Sequence, residues 1–266
     1  MKAIATRFGR GVGSLPSWAI GLLSGAIALA LWCAVTGAGL VSDLFLPGPA
    51  DLWFGLSELW EEGYKGRSIF EHIGLSLMRV GAGFVTGAMV GTLLGLGMGF
   101  SRRLDAAAAP FIEFLRPLPQ LAYLVLLIIW LGIGETSKIT MLFLAALPVA
   151  AVAARDGVRN VQPERIRAAE MLGATRWQIF RHVIAPSALP EILTGARLAL
   201  GIVYGTLIAS EIISGASGIG WMILDAGRFL RSDYVFAGIL IIGITGILID
   251  RSLVLVERRV VHWAGR

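Results

Sequence analysis

Three stretches of this chain hold side chains of the types that do chemistry. Gly215, Ala216, Ser217 and Gly218 spell Gly-x-Ser-Gly, in which a serine becomes a nucleophile when a histidine within hydrogen-bond reach acts as its base. The histidine that follows is His262, at the far end of an intervening apolar run, about 30 Å away if that run crosses a bilayer. No proton passes over that distance, so an intramembrane serine protease is disfavoured. His72 and His182 precede the serine and read as loop or rim residues. GETSKIT, from Gly134, comes nearest to a Gly-x-x-x-x-Gly-Lys-Ser/Thr phosphate loop, but its lysine follows the serine. The chain therefore does not bind and split ATP by that device. Cys33, the single cysteine, lies inside an apolar run and supports neither a disulfide framework nor a metal set.

The third stretch, Ala154 to Leu200, is a polar interruption between two apolar segments. Six arginines and three acids fall between Arg155 and Arg181, which requires water around it. Pro163 suits a helix start, Glu164 to Leu172 is helix-compatible, and Gly173 suits its stop. Pro186 and Pro190 are expected to prevent an early return to regular helix. About three turns of helix are not stable alone in water, so the run reads as a docking element that gains stability by packing.

The elements that position these stretches are membrane spans. Hydrophobic residues make up 56% of the 266 positions and charged residues 15%, with a mean hydropathy of +0.76, outside the range of soluble domains. At about 20 apolar residues per span, the length accommodates roughly five to seven helices. The net charge of +5 does not point to nucleic acid, because the bases sit at the ends of apolar runs rather than in one stripe. Residues 1–36 read as a basic N-terminus and a retained first span from Trp18 to about Thr36, longer than the core of a cleaved signal peptide. Residues 37–72, with six acids and two bases, read as an external loop. Residues 73–256 hold five further spans: Ile73 to Phe100, Leu118 to Ile133, Thr136 to Ala154, Ile192 to Ser214 and Tyr234 to Val256, with residues 155–190 as a loop on the inner side and 257–266 as a cytoplasmic C-terminus. In this six-helix count every basic cluster falls on one side, which places both termini in the cytoplasm.

Within the second span, Gly83, Gly87, Gly91, Gly95 and Gly99 recur every fourth residue, a groove into which another helix backbone can sink. Arg79 reads as a residue that snorkels to the surface or pairs within the bundle. Residues Leu104 to Leu115 read as a short helix broken by Pro117 and Pro119. Broken helices in a membrane require a cavity or other protein to satisfy the freed backbone, so Arg116, Pro117, Pro119 and Gln120 are candidates for the edge of a translocation path. Arg116 pairing with Glu113 is the local alternative. Arg197 and Glu211 lie fourteen residues apart, roughly 21 Å along a helix, and cannot pair; Arg197 is placed to snorkel.

The arginine-rich stretch also has a spelling. Arg167, Ala168 and Ala169, three residues, Gly173, nine residues, then Val183, Ala185 and Pro186 resemble the cytoplasmic signature of permease subunits of ATP-binding-cassette importers. That signature is usually Glu-Ala-Ala, a spacer, Gly, a longer spacer and Ile-x-Leu-Pro. Arg167 here stands where the family has Glu, and Val183 and Ala185 where it has Ile and Leu. The likeness runs from about Leu46 to the C-terminus and lies with the nitrate, sulfonate and taurine branch. Phe114 to Ile139, Glu191 to Gly201 and Ser217 to Ile223 carry it further.

The resemblance implies an all-α membrane protein with six transmembrane helices, the type I importer permease fold, and a short cytoplasmic coupling helix. It implies a homodimer of permeases, two cassette ATPases that hold ATP and Mg, an external solute-binding protein and the lipid bilayer as partners, and no cofactor on this chain. Coupling then falls to Glu164, Arg167, Ala168, Ala169, Glu170, Met171, Leu172, Gly173, Ala174, Thr175 and Arg176. Ile219 to Leu224 should dip back as a short amphipathic helix. Arg79 and Glu211 join the path candidates, and the outer loops near Pro47 to Trp53, Gly132 to Glu135 and Gly215 to Asp233 are candidates for receiving the binding protein. The implied cargo is a small organic anion, taurine or another alkanesulfonate. An ion-coupled secondary transporter is the alternative, although that class tends to carry ionisable groups at mid-span, where this chain is apolar.

Overall fold

The computed structural model describes residues 16–214 and 216–261; Lys2, Arg7, Arg10, Gly215 and His262 lie outside the described residues. The described residues form α-helices and no strand. In chain order these are α1 (Ser17–Gly37), α2 (Pro49–Glu61), α3 (Ile69–Phe100), α4 (Arg102–Leu115), α5 (Gln120–Leu131), α6 (Glu135–Arg159), α7 (Pro163–Met171), α8 (Arg176–Ile179), a π-helical turn (Phe180–Ile184), α9 (Ala185–Ser214), α10 (Ile219–Arg228) and α11 (Ser232–Val260). Five helices are long and apolar enough to cross a membrane, and α4 with α5 make a sixth if that pair, bent by 103°, counts as one span.

The core is three helices thick. Val80 of α3, Leu142, Ala145 and Ala146 of α6, and Ala199, Leu200, Val203 and Leu207 of α9 form one buried cluster. The five glycines of α3 all face α6. A Cβ at Gly91 would stand 3.0 Å from that of Ala150, and one at Gly95 would stand 2.8 Å from that of Ala154. Without side chains on α3, the carbonyls of Phe143, Leu147 and Ala151 fill the space where those side chains would be. A second cluster joins α2, α10 and α11 through Leu52, Leu59, Ile219, Met222, Tyr234 and Ala237. By contrast α1 is exposed along its apolar length and ties back through Trp32, whose Nε1 donates to the Pro47 carbonyl at 3.1 Å.

The element bounds differ from the sequence expectation in three places, each with a local cause. The 37–72 stretch contains a helix, α2, started by Pro49 and by Asp51, which accepts from the Gly48 amide at 3.0 Å. The next span begins at Ile69, because Ser68 and Glu71 form a capping box ahead of the apolar run. Pro186 and Pro190 do not delay the helix: α9 runs from Ala185 through both. The wide turn before it explains how Pro186 is accommodated; nothing in the structure explains Pro190. Ala185 donates to the Phe180 carbonyl, five residues back, so the chain enters Pro186 out of the α register in which its ring would strike the carbonyl four residues back.

Candidate functional site

The polar residues collect at two opposite ends of the bundle. At one end α7 projects from the bundle on a small apolar footing. Ile166, Ala169 and Ala174 pack on a cluster of Val158, Val161, Ile179, Ile184 and Ala188, and no residue of α7 is fully buried. Its ends are well determined. Pro163 stands at the first helical position, and at the other end the Gly173 amide donates to Glu170 at 2.9 Å and the Ala174 amide to Ala169 at 3.1 Å, with Gly173 at φ 77°. Thr175 and Gln178 then cap α8 reciprocally, at 2.8 and 3.4 Å.

This footing leaves the rest of the segment facing outward. Met171 is 83% and Leu172 88% exposed, two large apolar side chains with nothing of this chain against them. Glu164, Arg167, Ala168, Glu170, Thr175 and Arg176 are also exposed. Arg155 and Arg159, at the end of α6, instead brace α4: Arg159 meets Asp105 at 2.6 Å, and Arg155 meets Glu113 at 3.4 Å. Glu113 is therefore engaged across helices with Arg155, not with Arg116, because α6 brings a guanidinium to it from the side.

At the opposite end Arg79 is fully buried rather than snorkelling. Its Nε and Nη2 donate to the two carboxylate oxygens of Glu135 at 2.7 and 2.8 Å, and Nη1 donates to Glu211 at 2.6 Å. Nη1 and Nη2 also reach the carbonyl and hydroxyl of Ser217, both at 3.0 Å. Glu211 accepts in addition from Ser76 at 2.7 Å and from the Gly220 amide at 2.8 Å. One guanidinium thus ties α3, the start of α6, the end of α9 and the approach to α10. Arg197, at the α7 end of α9, pairs with Asp250 at 3.1 Å and with Glu257 at 3.6 Å rather than standing free in the interface.

His72 is a correction to the loop-or-rim expectation. It is buried in the first turn of α3, where its Nδ1 accepts from the Gly218 amide at 3.0 Å and its Nε2 donates to the Tyr64 carbonyl at 3.2 Å. An amide donor at Nδ1 fixes the neutral tautomer with its proton on Nε2, so neither nitrogen is left to serve a serine. Ser217 itself is held by Arg79. Gly218 has φ 108°, and a Cβ there would run into the Glu211 carboxylate, so the turn admits no side chain.

The network continues to α10. Tyr64 donates to Asp225 at 2.9 Å and Lys65 pairs with it at 2.9 Å. Burial pushes the Tyr64 hydroxyl well above its usual range, and the bond to Asp225 adds to that. Burial alone would raise the Asp225 carboxyl, but Lys65 and Tyr64 outweigh it and hold the group below the ordinary carboxylate range. Of the path candidates, then, Arg79 and Glu211 are joined at this end, while Arg116, Pro117, Pro119 and Gln120 lie together at the bend between α4 and α5. Arg116 is exposed there and makes no ion pair among the described residues. Ser76, Tyr64 and Asp225 belong to the network without having been singled out in the sequence, while Glu135 and Ser217 join it from the two outer-loop candidates.

Residues 68–262 match the family described as "Binding-protein-dependent transport system inner membrane component". The chain is 42% identical over 241 residues to the taurine transport system permease protein TauC of Escherichia coli K12, covering 90% of this chain and 88% of that one. It is 37% identical over 246 residues to the putative aliphatic sulfonates transport permease protein SsuC of Bacillus subtilis 168, covering 92% and 88%. Among solved structures, an amino acid ABC transporter crystallised with histidines aligns with a TM-score of 0.52 at 24% identity, over 72% of this chain and 96% of that one. The inward-facing MetNI methionine transporter aligns at 0.51 and 24%, over 77% and 99%. Both share the type I importer permease fold with this chain. A match spanning most of the helical bundle, with these relatives beside it, establishes that the chain belongs to the binding-protein-dependent transport system inner membrane component family, as the permease subunit of an ATP-binding-cassette importer in the branch that holds the taurine and sulfonate permeases.

Proposed function

We propose that two copies of this chain form the translocation pathway for taurine or another alkanesulfonate. Two cassette ATPases dock at the α7 end, which faces the cytoplasm along with both termini, and a solute-binding protein docks at the Arg79 end. The observation that carries this reading is the 42% identity over 241 residues to a taurine permease, joined to the exposed apolar tip of α7. ATP and Mg belong to the ATPases. This chain's share is to receive their closure: Met171 and Leu172 enter a groove of the ATPase, Ala168 and Gly173 permit close approach, Glu164, Arg167, Glu170 and Thr175 form the rim, and Ala169 and Ala174 seat the helix on the bundle. Closure draws the two α7 segments together and opens the path away from the cytoplasm; hydrolysis resets it.

The charge of Arg79 is committed to Glu135 and Glu211, so Arg116 is the better placed of the two for a passing sulfonate. Selection among anions rests mainly with the binding protein.

The test is uptake of labelled taurine into proteoliposomes holding this chain, with its ATPases and binding protein added singly and together. Uptake is expected only with all components and ATP, and stronger for taurine than for nitrate or bicarbonate. Leu172→Asp should lower uptake and stimulated ATP hydrolysis about tenfold or more, with membrane insertion intact. Uptake without nucleotide, or an unaffected Leu172→Asp, defeats the proposal.

A further inference from the structure

A cleft of about 400 Å³ opens beside the α7 end of α3, lined by Leu93, Leu96, Gly97 and Phe100 of that helix and by Arg176, Trp177 and Phe180. Its floor is apolar, and its aromatic wall is fixed. Trp177 stacks on Phe180 at 5.6 Å and 27°, and Phe100 meets Phe180 edge-on at 5.6 Å. Leu93 also lines a second apolar cleft of about 390 Å³, between α3, α9 and α11, that includes Phe84, Val85, Met89 and Leu253. The two share Leu93 and together mark a trough along α3 from Phe84 to Phe100, about 24 Å at helical rise. One leaflet of hydrocarbon is about 15 Å deep, so a trough of this length accommodates a chain from one leaflet. It lies on the opposite face of α3 from the glycines packed on α6. Val85, Met89 and Leu93 are exposed there, on the part of the chain that the bilayer surrounds.

The mouth of the trough is basic. Arg176 lines it, and Arg102 and Arg103 follow Phe100 in sequence as Arg181 follows Phe180. All four are exposed, and none makes an ion pair among the described residues, although Arg155, Arg159 and Arg197 nearby all do. Unsatisfied guanidinium groups above a trough of hydrocarbon length, beside a tryptophan at the level where apolar and polar surfaces meet, complement a molecule with an anionic head and an apolar tail. We propose that this cleft binds one anionic phospholipid per copy of the chain, an acyl chain lying along α3 and its phosphate held at Arg176. Because Arg176 and Trp177 open α8, one short turn beyond α7, lipid there would fix the angle at which α7 leaves the membrane.

The experiment is native mass spectrometry of the purified importer, this chain with its ATPases, exchanged into phosphatidylcholine and titrated with phosphatidylglycerol. One phosphatidylglycerol per copy should be retained in preference to phosphatidylcholine. Arg176→Gln should lower that preference about fivefold, the worth of one basic residue at a lipid headgroup. Arg176 is exposed and unpaired, so its replacement tests binding without disturbing the fold. Equal retention of the two lipids, or retention unchanged in Arg176→Gln, overturns the proposal. A disulfide formed in the intact complex between Leu93→Cys and the second copy, or between Trp177→Cys and an ATPase cysteine, overturns it as well, since protein would then cover the trough.

Discussion

Replacing Arg79 by Met removes the one cation that faces Glu211 among the described residues and leaves its fully buried carboxylate there with Ser76 and the Gly220 amide. Breaking a buried pair from one side costs about 3–5 kcal/mol, because an uncompensated charge stays in a medium of low polarity. Glu135 adds little to that cost: it is half exposed and keeps Lys138 at 3.0 Å. At about 2–4 °C per kcal/mol, the apparent unfolding midpoint should fall by roughly 6–20 °C. The double variant Arg79→Met with Glu211→Met removes both charges and substitutes side chains of similar length. It should recover most of the loss, since an apolar replacement of a buried pair is often neutral or better. The assay is heating of the detergent-solubilised protein, with the monodisperse fraction read by size exclusion. A loss under about 1 kcal/mol for the single variant, or a double variant no more stable than the single, refutes the reasoning.

Two further outcomes follow from the packing and the titration. Gly91→Ala should destabilise by about 1–3 kcal/mol, since its Cβ would stand 3.0 Å from that of Ala150 and against the Leu147 carbonyl. Gly81→Ala, in the same helix with nothing within 4 Å, should instead stabilise by up to about 1 kcal/mol through helix propensity; equal effects in the heating assay would show that the seam is not the cause. For Asp225, a depressed carboxyl stabilises the fold above its unfolded value of about 3.9 and loses that contribution as pH falls through the lower folded value. The stability gap between the native chain and Asp225→Asn should therefore hold steady down to about pH 5 and close below pH 4. A gap that survives full acidification would assign the effect to packing.

The spans were legible because burial in hydrocarbon imposes long apolar runs whatever the tertiary arrangement. The bounds of α7 were legible because Pro163 and Gly173 act through their own backbone. What was missed acts across distance. Arg79 and Glu211 are 132 residues apart, and a sequence shows their charges but not that one polar knot gathers them. The signal available was that Arg79, Glu135 and Glu211 share one side in a six-span count. The local rule pairing Glu113 with Arg116 lost to Arg155, 42 residues away. The rule that Pro186 breaks a helix lost to a turn of five residues that no propensity encodes.

The contact between α3 and α6 is carried largely by backbone and small side chains, so it has few rotamers with which to yield. A load applied to one end of that pair cannot be taken up by flexing side chains along its length. It must tilt the two helices together as a single beam. About 30 Å separates Arg79 from Phe100 along α3, so a small rotation near α7 would swing the Glu135 knot sideways by a proportional distance. In this protein stiffness at the glycine seam is what would give a short stroke its reach.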